Sequence, residues 1–373
     1  MKYIHILDEF SLAGGGGVRS VVADVSQEMA RRGAEVYILA LFIPNGTVIE
    51  DLKEWSRERH IVFDVLRSNN GSLISAAANL RRLLTPLTKE DKCCLFLHLK
   101  RGVLVGIIGS IGLKNVRRVE VFHSNYINYG VQARICKHFL DHHLPVSKES
   151  RQQLIDMYGI KPNKITLAYN GLDMEKIRSQ VQPIDRKKNV FRILSVGRMA
   201  TQKNLETSIK AYCLFKHENA NVDCEYLIAG DGPQREELEK LSEGAVVFLG
   251  AIERADVISL IASADVVLFP SLWEGHSIAL LEVLAIGCPV IVTDIPAFRE
   301  VLDNQSLSTG ELFREGPFGA VFHKEDVDSC KAAIEYMVNH REEHQQMRVF
   351  IKSLAANFTL QKQAEIYLNA AKF

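Results

Sequence analysis

The sequence predicts an α/β protein made of two doubly wound, Rossmann-like domains. Three observations predict it. Short apolar strand-like runs alternate with helical patterns along almost the whole chain, as parallel sheets flanked by helices require. The alternation breaks at one polar stretch, Arg178–Asn189 (RSQVQPIDRKKN), which contains a proline and has no apolar period. The length, 373 residues, exceeds one typical domain and suits two.

The elements follow in order. Tyr3–Leu7 is the first strand, and the glycine run Gly14–Gly17 leads from it into a helix. Val18, Val21, Val22, Val25 and Met29 recur at helical spacing and give that helix one apolar face, and Gly33 stops it. Strands are then expected at Val36–Phe42, Leu95–His98, Val119–Phe122, Leu144–Val146 and Ile165–Ala168. Beyond the polar stretch, which reads as a linker, come Arg192–Val196, Cys224–Ala229, Val246–Leu249, Val266–Phe269 and Val290–Val292. The domains are accordingly 1–178 and 190–355, and no solenoid repeat or low-complexity tract is present. In open parallel sheets ligands bind beyond the carboxyl ends of the strands, so the informative residues belong in loops that follow strands.

Composition narrows the function. Lys plus Arg and Asp plus Glu each total 45, and this balance gives no support to nucleic-acid binding. Residues 1–178 nevertheless carry 25 basic against 18 acidic groups, a surplus that suits an anionic membrane surface or acceptor and equally suits an ordinary solvated face. The seven cysteines show no CxxC and sit largely in apolar runs, as buried thiols of a reducing compartment do. The start, MKYIHILDEF, lacks a signal pattern, and no uncharged apolar run approaches the ~20 residues of a membrane span. The expectation is a cytoplasmic protein, attached at most to the inner face of the cell membrane.

The strongest chemical signal is Phe269–Asp294, FPSLWEGHSIALLEVLAIGCPVIVTD. A buried strand ends at Pro270, a loop carries Glu274, and a helix runs from about Ile278 to Ile286. The amides around Gly275, His276, Ser277 and Ile278 open that helix and suit a phosphate. Glu282, inside the helix and separated from Glu274 by seven residues, can accept hydrogen bonds from a ribose diol. The second signal, SVGRMATQKN, sets Arg198 and Lys203 in the loop after a strand, where two cations suit a diphosphate. AGDGP (Ala229–Pro233) reads as a tight turn. Gly14–Gly17 lets backbone approach a phosphate or acceptor closely, but Arg19 and Ser20 stand where a dinucleotide fingerprint needs glycine. His123 follows the strand VEVF. The cluster CKHFLDHH resembles a metal site, yet it straddles a helix end and a strand, so its side chains diverge.

The E-x7-E pair with its tail LAIGCPVIVTDIPAFREVL, together with G-R-x4-K-N, resembles the retaining glycosyltransferases of the GT-B fold, family 4, which build bacterial cell-surface glycans. The resemblance covers nearly the whole chain and is strongest over 190–302. It implies two Rossmann-like domains facing a central cleft, with 1–178 binding acceptor, 190–355 binding the nucleotide sugar, and a C-terminal helix (356–373) returning to the first domain. It implies transfer of a hexose-type sugar, with retention, from a UDP-sugar to a glycan or lipid-linked glycan, without metal or other cofactor. Arg198 and Lys203 take the pyrophosphate, Glu274 the sugar hydroxyls, Glu282 the ribose, and His123 the transferred sugar. Gly275, His276, Ser277 and Ile278 meet the donor through the helix start, and Gly16 and Gly17 through the glycine loop. His276 and Ser277 depart from the residues frequent at their positions, which bears on the identity of the sugar. The rival readings are a GT-B sugar-nucleotide 2-epimerase and an inactive nucleotide-sugar-binding subunit of a glycan assembly complex.

Overall fold

The computed structural model describes residues 1–11, 17–66, 72–123, 134–186 and 189–373. Gly14–Gly16 and the SNYINYG segment after His123 lie outside the described residues. The chain divides into two units, Met1–Gly171 with Thr359–Phe373 and Leu172–Phe358.

In unit 1 the strands β1 (Lys2–Glu9), β2 (Glu35–Phe42), β3 (Ile61–Val65), β4 (Cys93–His98), β5 (Val116–Phe122) and β6 (His142–Pro145) form a sheet in the order β3-β2-β1-β4-β5-β6. Each neighbouring pair is parallel. Parallel neighbours need long crossovers, and the helices Gly17–Arg31, Leu73–Glu90 and Leu99–Ser110 are among them. Side chains alternate across the sheet, so each strand feeds two cores. Ile4, Ile6, Leu95 and Leu97 pack with Leu80, Leu84 and Val103 on one face. Leu7, Phe96, Val119 and Val121 pack on the other face with Val22, Val25 and Met29. The helix Leu360–Ala370 closes that second face, burying Ala364 and Tyr367.

In unit 2 the strands are β7 (Phe191–Val196), β8 (Cys224–Ala229), β9 (Val247–Gly250), β10 (Val266–Phe269), β11 (Val290–Thr293), β12 (Phe313–Gly316) and β13 (Gly319–Phe322). Their order is β12-β13-β11-β10-β7-β8-β9, which places β7 between β8 and β10. The loops after these three strands are therefore neighbours at one edge of the sheet. β10 and β11 are buried throughout, as central strands covered on both sides must be.

Three sequence expectations need correction. The stretch Arg178–Asn189 is not the point where the chain changes unit, which falls at Gly171 and Leu172. Its polar groups dock on unit 2 instead. Arg178 donates to Ala285 O at 2.8 Å, Gln182 N to Ser259 Oγ at 3.0 Å, and Arg186 pairs with Asp265 at 2.8 Å. Polarity marked a segment held by side-chain hydrogen bonds, not a free tether. Ile165–Ala168 is not a strand. It touches β6 through one bridge, His143 to Ile165, and through Thr166 N and Ala168 N, which donate to His143 O and Pro145 O. The second sheet is not wholly parallel, since β12 and β13 form an antiparallel hairpin at its edge. That hairpin and β3 were missed because they are short edge strands with charged or exposed positions, such as Val62, Asp64, Arg314 and Glu315.

Candidate active site

The site in unit 2 grows from the loops after β7 and β10. Gly197 leaves β7 at φ +142°, and Arg198 and Lys203 follow. This loop lies tightly on the one after β8. Met199 N donates to Asp231 O at 2.9 Å, and Gln234 N to Met199 O at 3.2 Å. A Cβ on Gly230 would stand 1.9 Å from Gly197 O, and one on Gly232 2.3 Å from Met199 O. The glycines of AGDGP thus permit two backbones to touch, and the cation-bearing loop is held by that contact.

The β7 loop is also stitched to the β10 loop. Leu272 N donates to Gln202 O at 2.8 Å, and Gln202 Nε2 to Trp273 O at 2.9 Å. These bonds bring Lys203 to Glu274, Nζ to Oε1 at 2.5 Å. Ser271 Oγ donates to the same carboxylate oxygen at 2.9 Å, and Gln202 Nε2 approaches Oε2 at 3.4 Å. The Glu274 side chain is 8% exposed and that of Lys203 18%, so this is an ion pair largely withdrawn from water. Arg198 is exposed, and no ion pair of it is recorded among the described residues.

The helix Ile278–Ile286 begins beside Glu274. Ser277 caps it, accepting from Leu280 N at 3.4 Å, while Leu281 N reaches Ser277 O. The amides of Ile278 and Ala279 precede any residue that could offer them an acceptor within the helix, so they and the positive end of the helix dipole remain available to an anion. His276 is buried against Phe358, ring centroids 5.2 Å apart, and burial pulls its pKa down to about 3. It is a neutral ring wedged behind the loop. Glu282 is buried on the first turns of the helix and accepts from Arg254 Nε at 2.7 Å. Arg254 opens the helix Arg254–Ser263, which follows the edge strand β9. The two glutamates thus have different cations, Lys203 for Glu274 and Arg254 for Glu282.

In unit 1, Gly17 is the exposed first residue of its helix, while Gly16 lies outside the described residues. His123 follows β5 at the carboxyl edge of the sheet, half-buried, with a pKa lowered to about 4 by desolvation. Its Nε2 meets His98 Nδ1 at 2.8 Å. The residues of CKHFLDHH separate as expected from their straddling position. His142 bonds Thr166, and His143 bonds Glu120. Among the described residues no group of three or more His, Cys, Asp or Glu is placed to hold a metal. No helix there is long and apolar enough to cross a membrane.

Sequence reasoning missed Gln202, Ser271 and Arg254, which orient the two glutamates. Gln202 and Ser271 were legible only as neighbours of the motif residues. Arg254 had no signal, because it reaches Glu282 across 28 positions.

Comparison with known proteins bears on the family and the fold. The family model of glycosyl transferases group 1 matches residues 176–353, and that of glycosyltransferase family 4 matches residues 15–176. The chain is 30% identical over 200 residues to the N-acetylgalactosamine-N,N'-diacetylbacillosaminyl-diphospho-undecaprenol 4-alpha-N-acetylgalactosaminyltransferase of Campylobacter jejuni, covering 52% of this chain and 50% of that one. It is 30% identical over 170 residues to the UDP-Gal:alpha-D-GlcNAc-diphosphoundecaprenol alpha-1,3-galactosyltransferase of Escherichia coli, covering 42% and 43%. The chain thus spans about half the length of the curated relatives it matches, or somewhat less. The fold is shared with Anabaena HepE, crystallised with UDP and glucose, at a TM-score of 0.75 and 17% identity over 99% of both chains. With the two family models meeting at residue 176 and together spanning residues 15–353, the chain belongs to the GT-B glycosyltransferases of the family 4 type.

Proposed function

We propose that this protein transfers a hexose-type sugar from a UDP-sugar, with retention of configuration, to a glycan or lipid-linked glycan acceptor in the making of a cell-surface polysaccharide. The observation that carries the reading is the joining of Lys203 to Glu274 across the loops after two adjacent strands, with a helix N-terminus beside them. Cations, open amides and a carboxylate at the carboxyl ends of parallel strands are what a sugar diphosphate demands. The lipid-linked acceptor and the uridine donor are inferred from the names of the Campylobacter and Escherichia relatives and from the UDP in the Anabaena structure.

Arg198 and Lys203 hold the diphosphate and stabilise the charge it gains as the glycosidic bond breaks. The open amides of Ile278 and Ala279 add to them, and Glu282 takes the ribose hydroxyls. Glu274 accepts from hydroxyls of the sugar and faces the positive charge that spreads over its ring. The acceptor hydroxyl attacks the anomeric carbon from the face the diphosphate leaves, and the β-phosphate takes its proton. The protein's contribution is orientation and charge stabilisation, with no covalent intermediate. The cations and the helix end do the work of a metal, so turnover survives chelators. The basic surplus of residues 1–178 would meet an anionic membrane carrying the acceptor.

The test is a donor screen. UDP-, GDP- and ADP-sugars are offered singly, and melting is followed. A donor present at 100 times its Kd stabilises by about 2.7 kcal/mol, or roughly 5–11 °C for a unit of this size. The stabilising donor is then given an undecaprenyl-diphosphate-linked sugar, and the anomer formed is read by NMR. An inverted product removes the single-face mechanism, and conversion of the donor without acceptor replaces the transferase by an epimerase.

A further inference from the structure

Three histidines of unit 1 form one hydrogen-bonded file. His5 Nδ1 meets His98 Nε2 at 3.0 Å, and His98 Nδ1 meets His123 Nε2 at 2.8 Å. The rings are stacked in sequence, His5 on His98 at 5.3 Å and His98 on His123 at 5.1 Å. The strand register explains the file. His5 pairs with Phe96 and His98 with Val121. Each next histidine lies two residues beyond that partner, so all three share a face and climb from mid-sheet to its carboxyl edge. Two of these rings interrupt apolar strands, YIHIL and LFLH, at full burial.

A neutral imidazole has one N–H and one bare nitrogen, so the three tautomers are tied together. If His123 donates from Nε2 to His98, then His98 donates to His5, and His5 must carry its proton on Nε2. That atom is buried and without a hydrogen-bond partner among the described residues. Phe96 and Tyr367 stack over the faces of the His5 ring, 26° and 21° from parallel, and offer nothing to an in-plane N–H. In the opposite direction His5 donates from Nδ1 and His98 from Nδ1, and the buried end is only a bare lone pair. Orphaned buried N–H groups are the rarer of the two defects.

We infer that His98 is a positioning residue that holds His123 as its Nδ1–H tautomer, so that Nδ1 serves as a hydrogen-bond donor to a sugar hydroxyl bound at the carboxyl edge of this sheet. The sugar contact rests on the proposed glycosyl transfer; the tautomer does not. Desolvation keeps each of the three rings neutral, as the file requires.

The experiment labels histidine with 15N and reads the tautomer of His123, assigned by its loss in His123→Ala. In the unaltered protein Nδ1 is expected to be protonated and Nε2 bare. His98→Phe, a ring set between the His5 and His123 rings that His98 stacks on, removes the N–H that faces His123 Nε2. His123 is then expected to move toward the Nε2–H form, with kcat down about tenfold, the lower end of what loss of an orienting outer partner costs elsewhere, and donor KM unchanged. Should His98→Phe fail to fold, His98→Leu is read in the same way, whereas His5→Phe leaves the buried end at His98 Nε2 and is expected to keep the Nδ1–H form of His123. An Nε2–H tautomer of His123 in the unaltered protein overturns the inference outright, as does a tautomer indifferent to His98. A tautomer that shifts as expected while kcat stays level supports the relay and removes the sugar contact of His123.

Discussion

The Lys203–Glu274 pair makes a demand on stability as well as on turnover. A cation in a loop would ordinarily be lost at little cost to folding, and the sequence alone suggests that for Lys203. The structure says otherwise, because Glu274 is buried and Lys203 is mostly so. Lys203→Met takes the ion-pair partner from a buried carboxylate that Ser271 and, at longer range, Gln202 also contact. Breaking a buried pair from one side costs about 3–5 kcal/mol. The remaining hydrogen bonds and the partial exposure of the lysine favour the lower figure, about 3 kcal/mol. A unit of this size loses roughly 2–4 °C per kcal/mol, so melting should fall by about 6–12 °C. Glu274→Gln removes the charge but keeps an oxygen for Ser271, and it strands a lysine that can turn toward water, so its loss should be smaller. The double variant should melt above Lys203→Met, since no bare carboxylate remains. Melting curves on the three variants complete the cycle. Additive losses, or a Lys203→Met variant within a degree of the unaltered protein, would show that the pair is not the buried unit described here.

Arg198→Ala should leave melting unchanged within a degree, since the guanidinium is exposed, yet slow turnover ~100–1,000-fold if it stabilises the leaving diphosphate; turnover within threefold removes that role. Glu282→Gln should raise the donor KM more than it lowers kcat, and Glu274→Gln the reverse, because ribose is held alike in ground and transition states while the sugar ring changes. Steady-state kinetics on both variants decide it, and full kcat in Glu274→Gln sinks the assignment. His5 and His276, one in each unit, have native pKa values of about 3, below the ordinary value because their rings are buried. The unfolded chain therefore takes up protons first, and stability that is complete above about pH 6.5 is lost as pH falls toward 3. Each histidine removes about 2 kcal/mol by pH 5. Equal melting temperatures at pH 7.5 and pH 5 would show that these rings are not buried and neutral.

Most of the parallel core was legible in the sequence, because strands buried on both faces must be runs of apolar residues and the helices between them must carry one apolar face. Ile165–Ala168 shows the limit. Its apolar residues mark burial beside an edge, and whether a ladder forms there depends on partners remote in sequence. The motif residues were legible as types and spacings: Arg198, Lys203, Glu274 and Glu282 stand in or beside loops that follow strands. Their partners were not. Nothing local to Arg254 points at Glu282, and nothing local to Lys203 says that its amine is bound by a carboxylate 71 positions away. The histidine file was half legible. A polar ring in the middle of YIHIL or at the end of LFLH asks for a partner, but only the strand order β1-β4-β5 and its register supply one.

The pairing of Lys203 with Glu274 also changes what each residue can mean in the reaction. A lysine that only neutralised a diphosphate would be independent of a glutamate that only held a sugar. Here the amine lies 2.5 Å from the carboxylate, so drawing the lysine toward phosphate loosens the glutamate, and turning the glutamate toward sugar hydroxyls loosens the lysine. Ser271 and Gln202 also contact the carboxylate and tie it to the loops after β10 and β7. Arg198, exposed and with no ion pair among the described residues, is under no such constraint. The two cations of the G-R-x4-K-N motif are therefore not equivalent. If both meet the diphosphate as proposed, Arg198 would bring an exposed charge to it, whereas Lys203 would bring one already shared with Glu274. On the proposed reading, that sharing holds the Glu274 carboxylate in place before any donor arrives, and such preorganisation is what makes charge stabilisation effective.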